Sequence, residues 1–198
     1  MKYLLSQVLT GTILGDGHLY PANRKGESRL FIKHDDKAIS YVRWLNDQFS
    51  SIGVNRVNEV KMSGYHQHYF STKPNLEIGN YRKMFYPNGV KIIPKNITEL
   101  ITHPIGLAIW YMDDGSVDFR KKYHKNATLA TFGFSYEGCE LLAQMMRSNF
   151  SLYVSVHKST MRGKTYYRLY VKSESTKNFF SLIGQYILPC YSYKNPFS

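Results

Sequence analysis

Apolar positions recur at helical spacing in two separate stretches of this chain. Leu4, Leu5, Val8, Leu9 and Thr12 form one stripe, and Ile105, Ala108, Ile109 and Met112 form another. Pro104 stands in the first turn of the second stretch, where a missing N–H costs nothing. Each stripe is followed by a hairpin-like run, Leu19 to His34 and Val117 to Ser135. Polar clusters interrupt both runs, at Asn23-Arg24-Lys25-Gly26 and from Arg120 to Asn126. Helical spacing returns from Ala38 to Leu45 and from Glu137 to Asn149. A second strand pair follows in each case, Val57 to Phe70 and Val154 to Val171, with Gly64 and Gly163 near the turns. Short helices are expected over Ile78 to Met84 and Lys177 to Ile183.

The order α-β-β-α-β-β-α is therefore written twice. Three local correspondences support a duplication, each about 100 residues apart. Gly15-Asp16-Gly17 matches Asp113-Asp114-Gly115, Gln48-Phe49-Ser50 matches Asn149-Phe150-Ser151, and the run from Phe85 to Lys91 matches that from Ile187 to Lys194. The expected architecture is α+β: two pseudo-symmetric halves, residues 1–100 and 101–198, each with helices on one side of an antiparallel sheet. The join from Lys95 to His103 is short, so tight packing of the halves is expected.

Charge narrows the partner. The 26 Lys and Arg residues against 14 Asp and Glu give a net charge of +12, which points to a polyanion, with nucleic acid first. Hydrophobic residues make up 43% of the chain, enough for a core and against wholesale disorder. No apolar run approaches the ~20 residues of a membrane helix, so no membrane partner is expected. Cys139 and Cys190 are too few for a disulfide scaffold and are read as reduced. That suits an intracellular location: cytoplasm, nucleoid or an organelle.

The chemistry concentrates at the ends of the two striped helices. Gly11 and Gly15 lie four apart on one helical face, where small residues let backbones approach. Asp16 and Asp114 then close the helices, each before a glycine able to take a left-handed position, Gly17 and Gly115. An acid is disfavoured at the negative end of a helix dipole. One Asp-Gly is ordinary turn chemistry; two in register in a basic repeat suggest a shared cation. Two carboxylates and open water positions suit Mg2+, and in a DNA-binding protein that combination serves phosphodiester hydrolysis.

The run Pro104-Ile105-Gly106-Leu107-Ala108-Ile109-Trp110-Tyr111-Met112-Asp113-Asp114-Gly115-Ser116, with Leu14-Gly15-Asp16-Gly17, resembles the helices of monomeric two-motif LAGLIDADG homing endonucleases of the intron-encoded subgroup. The resemblance implies two αββαββα halves with saddle-shaped sheets on duplex DNA. It implies cleavage of both strands of a long asymmetric site with Mg2+, for which Mn2+ can substitute. It places the metal on Asp16 and Asp114, with carbonyl oxygen from Gly15 and Asp113. It matches Lys91, ahead of Pro94, and Lys194, ahead of Pro196, to the subgroup's late lysines. A lysine there could orient water and offset phosphate charge; a solvated surface charge is the lesser alternative. Two departures stand out. Ile109 replaces a small residue, and Phe31 and Phe132 occupy the positions aligned with a glutamine of many relatives.

Basic and aromatic residues interleave along the strands. The first half offers Arg24, Lys25, Arg29, Lys33, Lys61, His66 and His68 toward DNA. The second offers Arg120, Lys122, Lys125, His157, Lys158, Arg162, Lys164, Arg168 and Lys172, with Arg168, Tyr170 and Lys172 expected on one face. His66-Gln67-His68 has no cysteine or helical partner that would mark a zinc site, so DNA or solvent is the expected neighbour. His34-Asp35-Asp36 reads as a strand-to-helix junction with an Asp N-cap. An intron RNA maturase of the same fold, or an inactive DNA-binding protein, remains the alternative to a nuclease.

Overall fold

The structure is a computed structural model that describes residues 1–62, 64–120, 124–161 and 163–197. The first half runs α1 (Tyr3–Leu14), β1 (His18–Leu19), β2 (Leu30–Asp35), α2 (Ile39–Gln48), β3 (Asn58–Met62), β4 (Tyr65–Ser71) and α3 (Leu76–Phe85). A short helix, α4 (Ile97–Leu100), occupies the join. The second half repeats the order as α5 (Pro104–Asp114), β5 (Gly115–Arg120), β6 (His124–Ala130), α6 (Tyr136–Phe150), β7 (Val154–Met161), β8 (Lys164–Val171) and α7 (Ser173–Ile183). Each half holds one four-stranded antiparallel sheet, in the orders β1-β2-β4-β3 and β5-β6-β8-β7. The duplicated architecture expected from the spacing is the one observed.

α1 and α5 are the centre of the molecule. Val8, Leu9, Ile13 and Leu14 are buried on α1, and every residue from Leu107 to Met112 is buried on α5. Helices apolar all round belong in an interior. Their approach depends on bare backbone: a Cβ on Gly11 would stand 2.4 Å from the Gly106 carbonyl oxygen. Buried Gln7 fastens the start of α5, its Oε1 accepting from the N–H groups of Thr102 at 2.8 Å and His103 at 3.1 Å. His103 caps the same helix, its Nδ1 accepting from the Ile105 N–H.

Strand alternation sorts each sheet into two faces. Leu30, Ile32 and His34 on β2 and His68 and Phe70 on β4 are buried toward the helices, and Leu129, Leu169 and Val171 do the same in the second half. The opposite faces are open. Register corrects one expectation. His18 pairs with Phe31, and its counterpart Ser116 pairs with Thr128. Thr128, not Phe132, is therefore the partner of Phe31 in the repeat, while Phe132 lies beyond the end of β6. The two hairpins differ in length, and simple numerical alignment misses that.

The junction after β2 also differs from expectation. Asp35 takes the N-cap position of a 3-10 turn, Asp36–Ala38, but its side chain makes no capping hydrogen bond. Capping by side chains occurs instead at Asn75 before α3 and Ser135 before α6. The halves interlock beyond the central helices: Tyr191, in the turn Pro189–Lys194, meets Tyr41 of α2 edge-on at 5.3 Å. Cys139 and Cys190 are free. Among the described residues no helix is long and apolar enough to cross a membrane.

Replacing Gly11 by valine should destabilise the protein by at least ~1–3 kcal/mol, because the branched side chain is forced onto the α5 backbone. Gly133→Ala, where a Cβ meets nothing within 4 Å, should stay within ~0.5 kcal/mol of the parent. Urea unfolding of both variants is the check, and equal midpoints would remove the close helix approach from the account.

Candidate active site

α1 and α5 end side by side, and their last residues interlock unequally. A Cβ on Gly15 would stand 2.2 Å from Asp113 Oδ2, so the Asp113 carboxyl lies over bare backbone. The Asp16 N–H donates to that same Oδ2 at 3.1 Å. The Asp113 side chain is fully buried, whereas that of Asp16 is 51% exposed. His34, from the buried face of β2, lies between them, with Nδ1 3.6 Å from Asp16 Oδ2 and Nε2 3.8 Å from Asp113 Oδ1. The facing atoms of Asp16, His34 and Asp113 all lie within 4.8 Å of one another. Asp113 Oδ1 and His34 Nε2 are buried without a hydrogen-bond partner.

The left-handed glycines expected after Asp16 and Asp114 are not found. Gly17 and Gly115 lack positive φ, and Gly115 is extended at φ −80° and ψ 150°. Both are small for a packing reason. A Cβ would stand 2.6 Å from the Thr12 carbonyl oxygen at Gly17 and 2.1 Å from the Tyr111 ring at Gly115. The chain leaves each helix by folding back across its last turn.

A lysine closes each helix. Lys91 Nζ donates to the Gly15 carbonyl at 2.9 Å and reaches that of Leu14 at 3.5 Å. Lys194 Nζ donates to the Met112 carbonyl at 2.6 Å and reaches that of Asp113 at 3.4 Å. The two ammonium groups occupy equivalent places in the repeat, each on the orphan carbonyls at the negative end of a dipole. Both carbonyls expected as oxygen donors, those of Gly15 and Asp113, thus already face a lysine.

Three carboxyls and two lysines share this junction, and burial is the first cause of the shifts at Asp113, Asp114, Lys91 and Lys194. Burial, then the Asp16 charge, raises Asp114 to about 7, with Lys91 and Lys194 opposing. Burial and Asp16 hold Asp113 well above the usual carboxylate range. Burial lowers both lysines, and the surrounding carboxylates oppose it. Burial also pushes His34 toward its neutral form, against the pull of Asp16. The oxygen-rich donor set and the unpartnered Asp113 oxygen fit a hard divalent cation. Asp16, His34 and Asp113 also line a cleft of about 1160 Å³ that opens onto Phe31, Lys33, Gln67 and Lys194.

The family model described as LAGLIDADG DNA endonuclease family matches residues 6–179. The chain belongs to this family. Among curated proteins, a cytochrome b mRNA maturase bI2 of Debaryomyces hansenii is 25% identical over 95% of the chain and 72% of its own length. A Protein RecA of Mycolicibacterium flavescens is 28% identical over 95% of the chain. The chain spans only 45% of that relative, and 46% of the bI2 maturase of Saccharomyces cerevisiae. Among solved structures, the homing endonuclease I-WcaI bound to its DNA recognition sequence superposes with a TM-score of 0.81 at 26% identity, covering 100% of this chain and 88% of that one. I-DmoI in complex with DNA and Mn shares the fold, with a TM-score of 0.57 at 18% identity over 91% of this chain and 96% of its own.

The LAGLIDADG sheets carry the basic residues unevenly. Lys33 projects from the open face of β2, beside Phe31, and Arg29 holds its guanidinium 4.2 Å above the Tyr20 ring. Arg24 and Lys25 stand on the exposed β1–β2 connection, where Asn23 Oδ1 accepts from the Lys25 N–H. On the second sheet Lys164, Arg168 and His157 share the open face. His157 stacks on Tyr170 at 5.1 Å, and Arg168 lies 5.2 Å over Phe132. Four expectations move. Lys61, His66, His68 and Lys158 alternate onto the helix side of their sheets, with buried Phe70 and half-buried Val156 as their face-mates. Lys172 follows β8 as the extended residue that opens α7. Arg120 and Lys125 fall in β5 and β6, while Lys122 and Arg162 lie outside the described residues.

Sequence reasoning missed His34, Tyr41 and the side chain of Asp113. Tyr41 is buried on α2 with its hydroxyl toward Asp113. The available signal was His34 itself, a polar residue in register with apolar Leu30 and Ile32. In chelator, protein stability should fall as pH rises from about 4 to about 7. Over that window the unfolded chain ionises Asp114 near its ordinary value, while the folded protein keeps the proton up to about 7. Thermal melts of Asp114→Asn should show a shallower fall, and parallel curves for parent and variant would refute the assignment.

Proposed function

We propose that this chain is a Mg2+-dependent, site-specific double-strand DNA endonuclease acting as a monomer, with halves at 1–100 and 101–198. The observation that carries this reading is the junction of α1 and α5. It brings Asp16 and Asp114 within electrostatic reach of each other, each with a half-buried lysine on its own helix end. Asp16 and Asp114 would hold the cation, together with the free lone pairs of the Gly15 and Asp113 carbonyls. Bound there, Mg2+ supplies charge stabilisation to phosphate oxygens in transit; Mn2+, with similar preferences, would substitute.

The protein's own groups do the rest. The open sheet faces seat the duplex, with Lys33, Arg29, Lys164 and Arg168 offering charge to phosphates and base edges. Lys91 Nζ and Lys194 Nζ keep positive charge beside the carboxylates, where negative charge grows during cleavage. Burial lowers the pKa of both, so each gives up its proton at a lower pH than a surface lysine does. Asp113 stays buried beneath Asp16 and accepts its backbone N–H, while His34 faces the Asp16 carboxyl.

Purified protein with Mg2+ should cut a randomised duplex library at one long asymmetric motif. Asp16→Asn and Asp114→Asn should each reduce cleavage by about a hundredfold or more, with DNA affinity kept. An Asp114→Asn protein that cuts both strands at the parental rate would falsify the mechanism. The alignment with two bI2 mRNA maturases over nearly the whole chain favours a second reading, intron RNA binding in aid of splicing. Absence of cuts, together with salt-sensitive binding to a structured intron RNA, would put that reading first.

A further inference from the structure

The histidines that left the open face of the first sheet meet a carboxylate that the sequence places 30 residues upstream of His66. His66 and His68 stand at alternate positions of β4, so both side chains leave the sheet on the helix side. Asp36 opens the turn into α2 and reaches the same spot. Its Oδ1 is 2.8 Å from His68 Nε2 and 3.5 Å from His66 Nδ1, so one oxygen faces two ring nitrogens. The donor atoms of Asp36, His66 and His68 all lie within 4.8 Å of one another. Metal–ligand bonds of ~2.0–2.1 Å in tetrahedral geometry separate neighbouring donors by ~3.3 Å. Small rotamer adjustments therefore suffice to close the three around an ion.

The surroundings have the form of an outer shell. The far nitrogen of His66, Nε2, is hydrogen-bonded to Glu59 Oε1 from the neighbouring strand. A ligating histidine usually binds a carboxylate through its second nitrogen in this way, which fixes its tautomer and orientation. Lys61 Nζ sits 3.1 Å from the same Glu59 oxygen and balances that charge. His68 is nearly buried, with its side chain 9% exposed, whereas His66 and Asp36 keep access to solvent at 35% and 59%. One anchored ligand and two accessible ones leave a path for an ion to enter.

We propose that Asp36, His66 and His68 form a site for a borderline divalent transition ion of the Zn2+, Co2+ or Ni2+ class. Two imidazoles and one carboxylate suit such ions better than Mg2+, whose preference is for oxygen. Three protein ligands leave an open position for water. The ion clamps β4 to the turn that starts α2. His68 is the cross-strand partner of His34, and α2 carries Tyr41 against Asp113. The clamp thus braces the scaffold behind the junction of α1 and α5. It rests on a donor set separate from Asp16 and Asp114, and it holds whether or not the chain cleaves DNA.

The test is a titration of chelator-stripped, tag-free protein with Co2+, followed by visible absorption, which reports the coordination geometry of the bound ion. Ligand-field bands saturating at a single equivalent, and bleached by added Zn2+, are expected. His66→Gln and Asp36→Asn should abolish them, and Glu59→Gln should weaken binding by about tenfold to a hundredfold. His68→Ala risks the fold, because His68 is buried beside Phe70. The two accessible variants therefore carry the test, with far-UV circular dichroism as the check on folding. Asp16→Asn should leave the bands in place. A protein without bands, or bands that survive His66→Gln, would overturn the proposal, and bands lost in Asp16→Asn alone would move the ion to Asp16, His34 and Asp113.

Discussion

The close crossing of α1 and α5 governs the rest of the molecule. At Gly11 and Gly106 the backbones approach so closely that a single added carbon would strike a carbonyl oxygen. That approach brings two helix C-termini together, and with them two dipoles pointing negative charge at one place. Both halves hang from this seam. Each sheet packs its apolar face around it, and each half sends a lysine back to cap the helix from which it began. Charge at the junction would otherwise oppose the packing that creates it. The lysines offset it, and a cation between the carboxylates would offset more.

The repeat is symmetric where capping is concerned and unsymmetric where packing is tightest. Lys91 and Lys194 bind equivalent carbonyl pairs, yet Gly15 faces Asp113 across the axis. A side chain at Gly15 would strike the Asp113 carboxyl, so the two equivalent positions carry different residues. The result is a buried carboxyl that accepts the Asp16 N–H and that His34 and Tyr41 surround without an aligned hydrogen bond. Such arrangements cost stability and belong at functional sites. Asp114, held to about 7, is of the same kind.

Much of this was legible in the sequence. Apolar spacing located the helices and the strand pairs, and the recurrence of Gly-Asp-Gly as Asp-Asp-Gly located the seam. Glycine spacing correctly implied a close backbone at Gly11, whereas at Gly15 the bare backbone receives the Asp113 side chain. What stayed hidden depended on geometry across strands. Hairpin length decides register, so Phe132 aligned with Phe31 by number while Thr128 aligns by pairing. Face assignment was missed for Lys61, His66, His68 and Lys158. Basic residues near a strand end can leave by either face, and composition alone does not tell which. His34 and Asp36 were read as one local junction, yet the fold sends them to two different clusters. Gly17 and Gly115 were assigned to a left-handed turn when their smallness serves a fold-back of the chain.

The proposed function requires the seam between α1 and α5 to hold the cation that cuts DNA. Crystals of the protein with its DNA site and Mn2+, measured at an energy where manganese scatters anomalously, test this most directly. Anomalous density is expected between the carboxylates of Asp16 and Asp114, next to the scissile phosphates. Density confined to other residues, with the seam empty and the DNA nonetheless cut, would contradict it.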